Sequence, residues 1–528
     1  MASFMFSAIS KPAKAKILVP ANPSQRRIYW MNRLKVMRED GTQEELHPTP
    51  EVIAVAIAKC SRTETPFDQN IDDVTLEKAA EFHEKWVVGY GHGSVAEHAV
   101  SSVGIENISQ VAIKVLEDTR LASFTEKSSR YQVFSRERAF VPDTIRFSPI
   151  ADTYQLLLKH LYDLYEELFP RMADLMRNRF PKTADLTEKA YEAQTKARAL
   201  DVVRCLLPAA SLSSLGMTAN ARVWGHVISK CLSHPLEEVR AIGTELRNVL
   251  KGEPEMNPDL ALQERPHPTL LKYAEPKSYL QETPANLQEI AASLFKNPNQ
   301  THGPTTIARS VTLVQDDAFA EVRIAAALLT RVSHVPYAEI FDRIKTDHEL
   351  CEQVITTSLI KRGAHEAVLR EFEHAVFQHE IVMDYGAWRD IQRHRMCTQT
   401  NQPLSVHLGY GMPEEIETLG YQNQFIQVMQ EAARVYEAMI VHGLTNEAEY
   451  AVPMAYRRRL LVTWNLRELF HFIELRSGIK GHPSYRKIAQ ELWRTLDETH
   501  PFLAKFINVD MRGNEATVST LGAKPRGI

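Results

Sequence analysis

Three stretches of this chain gather side chains that can bind anions or move protons. Gln392-Arg393-His394-Arg395 sets two guanidinium groups on either side of an imidazole. Successive side chains diverge where a helix runs out, so Arg393 and Arg395 can face two different ligands. The same triplet also reads as a solvated basic helix end complementing the macrodipole. Glu126-Lys127-Ser128-Ser129-Arg130-Tyr131, shortly after Thr119-Arg120, combines hydroxyls, loop amides and an arginine fork. Those are the parts of a phosphate cradle, and equally of an ordinary polar loop. Asn465 to Arg476 is the third stretch. On a helix Asn465, Leu469 and Phe472 fall near one another, while Arg467, His471 and Glu474 share a second stripe at i, i+4, i+7. An amphipathic helix with charge pairs, ended by Arg476 as a cation suited to the dipole, would look the same.

Such residues need elements to hold them. Ser102 to Ile108 and Val376 to Val382 read as short strands. Each feeds a helix, Ser109 to Glu117 and Asp384 to Arg393, with Ser109 and Asp384 as N-caps. Ala151 to Met176, Asn423 to His442 and Arg457 to Glu474 carry apolar residues at helical spacing. The mixture predicts an α+β fold. The motifs also recur. Glu97-His98-Ala99-Val100 returns as Glu373-His374-Ala375-Val376. Pro208 is followed twelve residues later by Asn220-Ala221-Arg222, as Pro453 is by Asn465-Leu466-Arg467. His226 and His471 each lie six residues past the asparagine. Shared order and spacing mark two homologous halves. Glu253 to Thr301, rich in Pro, Asn and Gln, reads as a linker with a short helix near Ala285 to Phe295. The expected domains are 15–255 and 302–520, joined by a linker over 256–301.

Bulk properties narrow the function. At 528 residues the chain exceeds what one core organises. A net charge of -4, from 62 basic against 66 acidic residues, gives no global field for long nucleic acid. Phosphate recognition must therefore rest on a local arginine cluster. The five cysteines contain no CxxC pair, which argues against a disulfide framework or structural zinc and fits a reducing cytoplasm. No run approaches the roughly 20 apolar residues of a membrane helix, and Met1 to Pro20 shows no signal-peptide pattern. The expectation is a soluble, cytoplasmic protein that contacts no membrane. His92, Glu97, His98, His374 and His379 match neither HExxH nor its inverse, so no metal is expected. Gly89-Tyr90-Gly91-His92-Gly93 lacks the dinucleotide-binding spacing.

Taken together, the motifs resemble those of the flavin-dependent thymidylate synthases (ThyX). That family carries a run RHR-x-A-S-Y-N-E-x-S-x-R-Y, a Glu-His pair upstream of it, and an N-x-R helix that ends in an arginine. The first half keeps Gly91-His92-Gly93-Ser94-Val95-Ala96-Glu97-His98 and the run from Asp118 to Tyr131. The second half keeps Arg393-His394-Arg395 and the C-terminal helix pattern to Arg476. Each half also departs from the pattern. Asp118-Thr119-Arg120 stands where Arg-His-Arg belongs, and Cys231 where the terminal arginine belongs. The second half has Pro403 at the motif serine, Ser405 at the following arginine, and Glu449 where the first half has Arg204. In the family each site is shared. One copy gives the Arg-His-Arg, the Asn-x-Arg helix and the terminal arginine, and its neighbour gives the Glu-x-Ser-x-Arg loop, the pre-helical arginine and the His-x-Ser contact. The two halves divide along this line, which implies one composite site and a dead mirror site.

The resemblance also implies roles, position by position. Asp390 and Arg393 border a nucleotide, with Glu126, Ser128 and Arg130 across from them, and Arg130 and Arg204 hold its phosphate. Arg476, the implied catalytic residue, bonds the uracil edge and favours its ionised form. His394 and Arg395 lie against FAD, with Glu126 and Arg393 at its border. Asn465, Leu466, Arg467 and His471 hold its ring and tail, and Ser94 reaches its phosphates. The implied reaction is reductive methylation of dUMP by methylenetetrahydrofolate and NADPH. A cysteine nucleophile is not expected from the contexts of Cys205 and Cys397, although Cys397, just past Arg395, could couple a redox change to the flavin. Two other readings remain. One is a flavoenzyme acting on a different pyrimidine nucleotide, through the altered loop Gln402 to Gly411. The other is a non-catalytic protein that binds flavin or nucleotide. A tetrameric family implies a homodimer of this two-copy chain.

Overall fold

The computed structural model describes residues 31, 34–37, 42–63, 70–71, 74–252, 265–295, 301–304, 309–479 and 481–513. Met1 to Pro20, the linker stretches 256–264 and 296–300, and the domain ends 15–30 and 514–520 lie outside the described residues. The chain is α+β and forms two compact units. One comprises Met1–Ile105, Leu121–Thr125 and Leu215–Ala291; the other comprises Glu106–Arg120, Glu126–Ser214 and Ala292–Ile528.

The first unit contains β1 (Leu34–Met37) and β2 (Gln43–Leu46), an antiparallel pair, then α1 (Pro50–Lys59) and α2 (Leu76–Phe82). Thr49 starts α1: its hydroxyl accepts from the Val52 amide at 3.3 Å, and Pro50 occupies a position where a missing N–H is harmless. Val52, Val55, Ile71, Val74 and Ala79 pack as its core. Glu51 is buried because it accepts from the amides of Thr269 and Leu270 at 2.9 and 2.8 Å.

Strand β3 (Val100–Ser109) leads into α3 (Gln110–Glu117), with the Ser109 hydroxyl accepting from Ala112 N at 3.0 Å. Then come β4 (Ser123–Glu126), α4 (Ala151–Arg179), α5 (Glu188–Val203), β5 (Leu212–Asn220), α6 (Ala221–Leu232) and α7 (Glu237–Lys251). A helix α8 (Ser278–Leu294) fills part of the expected linker and begins earlier than the sequence indicated. The later chain forms β6 (Thr301–Pro304), β7 (Val311–Gln315), α9 (Ala320–Thr330), β8 (Val376–Asp384), α10 (Tyr385–Ile391), β9 (Thr398–Asn401), β10 (Leu408–Tyr410), α11 (Gln422–Val441), β11 (Arg457–Asn465), α12 (Leu466–Arg476) and α13 (Pro483–Thr499).

The repeated motifs correspond to repeated structure. One sheet runs β3-β5-β4, and the antiparallel sheet β7-β8-β11-β9 contains the equivalent strands in the same order, β8-β11-β9. The helix starts match as well. Asn220 caps α6 by accepting from Val223 N at 3.0 Å, and Asn465 caps α12 by accepting from Glu468 N at 2.9 Å. In the second unit, Pro208 and Pro453 meet as an antiparallel bridge. Around them Ala209 N donates to Val452 O at 2.9 Å and Met454 N to Leu207 O at 2.9 Å; Ala210 N donates to Tyr450 O at 3.2 Å and Ala455 N to Cys205 O at 2.8 Å. Counted from the two prolines, each bond has its equivalent running the other way. That reciprocity is the mark of an isologous contact between like surfaces.

One expectation is corrected. Arg457 to Glu474 is not one helix: its first part is β11, and the helix begins at Leu466. In β11 Leu460, Val462 and Trp464 are buried while Leu461 is exposed, a period of two that suits Val and Thr in a strand. Asn465 then ends the strand and caps the helix.

His500 ties α13 to the four-stranded sheet. Its Nε2 lies 2.9 Å from Asp316 and its Nδ1 2.9 Å from Glu321. Burial opposes the charged imidazole, but the two carboxylates outweigh it and raise the pKa. Its stabilisation is therefore full below the unfolded value of about 6.5 and is lost as pH rises through the higher folded value. The denaturant midpoint should fall as pH rises from about 6 to about 8, and His500→Gln should flatten that part of the curve. Equal slopes in the two proteins would contradict this.

Candidate active site

The second unit concentrates its buried charge where α10 runs out. Glu126, the last residue of β4, is held by Arg389, by Arg393 Nη2 at 2.9 Å and by Lys114 Nζ at 3.1 Å. Burial favours the neutral acid, but Arg389, Lys114 and Arg393 outweigh it and keep the carboxyl well below the ordinary range. Lys114 also bonds Glu117 at 2.5 Å, and Arg389 Nη1 reaches the Ser129 hydroxyl at 3.3 Å.

Arg130 forks onto Asp201 with bonds of 2.7 and 2.6 Å. The Ser128 hydroxyl accepts from Arg130 N at 3.2 Å and so shapes the turn that carries the arginine. Arg204, in the 3₁₀ turn after α5, lies 3.9 Å from both Asp201 and Asp390. It is only 4 % exposed, and its Nη2 has no hydrogen-bond partner among the described residues. Leaving such a donor unsatisfied costs about 1–3 kcal/mol or more for a charged group, unless a ligand meets it. At Asp390 burial is outweighed by Arg204, Arg476, Arg393 and Arg389, which hold its carboxyl low. Lys114, Arg130, Arg204, Arg389, Arg393 and Arg476 thus surround Glu117, Glu126, Asp201 and Asp390, leaving two more cations than carboxylates.

His394 is buried next to this cluster. Its Nδ1 lies 2.8 Å from Glu468 Oε1, and Arg476 donates from Nε to His394 Nε2 at 2.9 Å and from Nη2 to the Asp390 carbonyl at 2.9 Å. Burial, helped by Arg476, keeps the imidazole below its ordinary pKa against the pull of Glu468. Arg395 Nη1 donates to the Arg120 carbonyl at 3.0 Å, beside a cavity of about 60 Å³ that His394, Gln392 and Cys397 also line. The His471 ring is exposed, 5.6 Å from that of His394.

The structure gathers Glu126, Ser128, Arg130, Arg204, Asp390, Arg393, His394, Arg395, Asn465, His471 and Arg476 in one unit. Several are committed to protein partners. Asn465 caps α12 and donates to the Met396 carbonyl at 3.0 Å. Leu466 is fully buried, and Arg467 bonds Val368 O and Glu373 at 2.9 Å each. Ser94 is an exposed residue of the first unit. Glu97 there pairs with Arg222, and His379 in the second unit bonds Thr495 at 3.0 Å. Lys114, Arg389, Asp201 and Glu468 were missed by motif reading. Their signals were faint: Arg389 precedes Arg393 by one helical turn, and Asp201 precedes Arg204 likewise. Cys397 is buried, its thiol pushed up to about 12, first by burial, and it donates to the His394 carbonyl at 3.2 Å. A thiol held protonated is a poor redox partner. Burial likewise pushes Cys205 far up.

At the pseudo-equivalent position the chemistry is reversed. Glu449 accepts from Leu404 N at 3.2 Å, and Arg458 stacks 4.2 Å from the Trp388 ring centroid while donating to the Gln402 carbonyl at 2.9 Å. Cys231, the counterpart of Arg476, is buried in the first unit against Gly243, where an added Cβ would come within 2.8 Å of it.

Fold and site together define a duplicated α+β protein with an arginine-rich cluster of buried charge. The model for thymidylate synthase complementing proteins matches residues 44–253 and again residues 312–502. The chain belongs to that family, the ThyX family its motifs resemble. A UPF0159 protein of Chlamydia muridarum is 31% identical over 451 residues, spanning 82% of this chain and 82% of the relative. One of Chlamydia pneumoniae is 32% identical over 443 residues, spanning 82% and 81%. A flavin-dependent thymidylate synthase of Thermococcus onnurineus is 30% identical over 148 residues, which is 25% of this chain and 57% of that enzyme. No helix among the described residues is long and apolar enough to cross a membrane.

Removing one partner of a buried ion pair exposes the cost of the other. Arg389→Ala should destabilise the protein by about 3 kcal/mol in denaturant unfolding, and Arg389→Ala with Glu126→Gln should recover part of that loss. Additive losses in the double variant would contradict the pairing.

Proposed function

We propose that this chain carries out FAD-dependent reductive methylation of dUMP, with methylenetetrahydrofolate as carbon donor and NADPH as reductant, at one composite site. The observation that carries this reading is the buried Arg204, whose Nη2 lies 3.9 Å from Asp390 but has no hydrogen-bond partner among the described residues, within a cluster holding two surplus cations. A phosphate monoester, with a charge of about -1.5 to -2, meets both needs. The contributions come from both halves: Arg130, Arg204 and Ser128 from the first, Asp390, Arg393 and Arg476 from the second.

Arg476 bonds the uracil edge and stabilises negative charge on it, which activates carbon 5 without a covalent enzyme nucleophile. Protonated Cys205 and buried, protonated Cys397 fit such a mechanism. Bound FAD supplies the hydride chemistry. The residues present fit a planar, acceptor-rich ring: a buried neutral imidazole at His394 stands beside the donors of Arg393, Arg395 and His471. Asn465, Leu466 and Arg467 support that ring by fixing the start of α12, and Glu126 completes the flavin set. The chain comprises domains 15–255 and 302–520 with the linker 256–301, acts in the cytoplasm and assembles as a homodimer.

Release of tritium from carbon-5-labelled dUMP, dependent on NADPH and folate, tests the reaction. Arg204→Ala and Arg476→Ala should each lower it by at least about 100-fold, the loss of a charge-assisted contact in a buried site. Cys231→Ala should leave turnover unchanged. Full activity in Arg204→Ala would sink the composite site. A protein that stays colourless after FAD reconstitution would sink the flavoenzyme reading, and release only from another pyrimidine nucleotide would redirect the substrate.

A further inference from the structure

Glu468 sits in the first turn of α12, its amide capped by Asn465, and is only 8 % exposed. A buried carboxylate needs a partner, and among the described residues its partner is an imidazole: Glu468 Oε1 lies 2.8 Å from His394 Nδ1. Across the ring, Arg476 Nε lies 2.9 Å from His394 Nε2. A guanidinium only donates, so Nε2 must be the ring nitrogen that bears the lone pair. The hydrogen of the neutral ring then lies on Nδ1, and Glu468 is its acceptor. Among the described residues Arg476 is held by one other hydrogen bond, from Nη2 to the Asp390 carbonyl at 2.9 Å. Its orientation therefore depends on which nitrogen of His394 carries the hydrogen.

We propose that Glu468 is a positioning residue that locks His394 in the Nδ1–H tautomer and thereby aims the Arg476 guanidinium at the nucleotide base. This rests on the reading of Arg476 as a nucleotide contact. Without the carboxylate, the ring can take the Nε2–H tautomer, which sets an N–H against the guanidinium N–H and breaks the bond that orients Arg476. A glutamine at the position keeps an acceptor oxygen for Nδ1–H, whereas an alanine does not.

Two measurements test the proposal. In the FAD-reconstituted full chain, titration calorimetry with dUMP should show about tenfold weaker binding for Glu468→Ala and binding within about twofold of wild type for Glu468→Gln. A role confined to packing would not be rescued by the amide, so equal weakness of the two variants overturns the proposal, as does unchanged affinity in Glu468→Ala. Nitrogen-15 histidine spectra of the ligand-free protein, with His394 assigned from His394→Gln, should show an Nδ1–H ring in wild type and an Nε2–H component in Glu468→Ala. An Nε2–H ring in wild type overturns the proposal even if Glu468→Ala fails to fold. A wild-type protein that binds no dUMP, yet shows the Nδ1–H ring, would count against the functional reading and leave the tautomer lock standing.

Discussion

The pairing of Pro208 with Pro453 organises the site. Two reciprocal sets of backbone hydrogen bonds flank it, and each bond has an equivalent in the opposite sense. Such a contact brings like segments of two similar folds side by side. Arg204 and Glu449 both lie four residues before these prolines, so the same crossing that brings Arg204 to Asp390 carries Glu449 to its own counterpart position. The backbone is close to symmetric there. The chemistry is not, and side-chain divergence alone sets the two places apart.

Burying this much charge is tolerable only because the charges are paired. Glu126 is surrounded by Arg389, Arg393 and Lys114, and Asp201 by Arg130 and Arg204. Desolvation would otherwise drive the Glu126 carboxyl to its neutral form. The network is positive on balance, and its surplus resides at arginines rather than lysines, which suits fork-shaped recognition of phosphate and of a base edge. At the counterpart position Glu449 bonds a loop amide and Arg458 covers Trp388, so polar groups there are directed at the protein itself.

Much of the local structure was legible in the sequence because it depends on near neighbours. Ser109 and Asp384 cap the helices they were expected to start, and Arg393-His394-Arg395 does lie where a helix ends. The repeat predicted equivalent strands, and the sheets share their order. Residues 457–465 misled because Leu460, Leu461 and Trp464 fit a helical stripe as well as a strand. Partnership with β8 and β9, a long-range fact, settles the matter. Asn465 shows a subtler limit: its place in the N-x-R motif is explained locally by capping. Lys114, Arg389, Asp201 and Glu468 escaped because nothing in their neighbourhoods reveals a partner distant in sequence. Glu126 and Arg389 are separated by 263 positions.

The structure of the chain with dUMP bound tests the central claim most directly. The account predicts one nucleotide per chain, its phosphate bonded by Arg204 and Arg130 of the first half and its base by Arg476 of the second. A nucleotide seated beside Glu449, or one that touches residues of a single half, would contradict it.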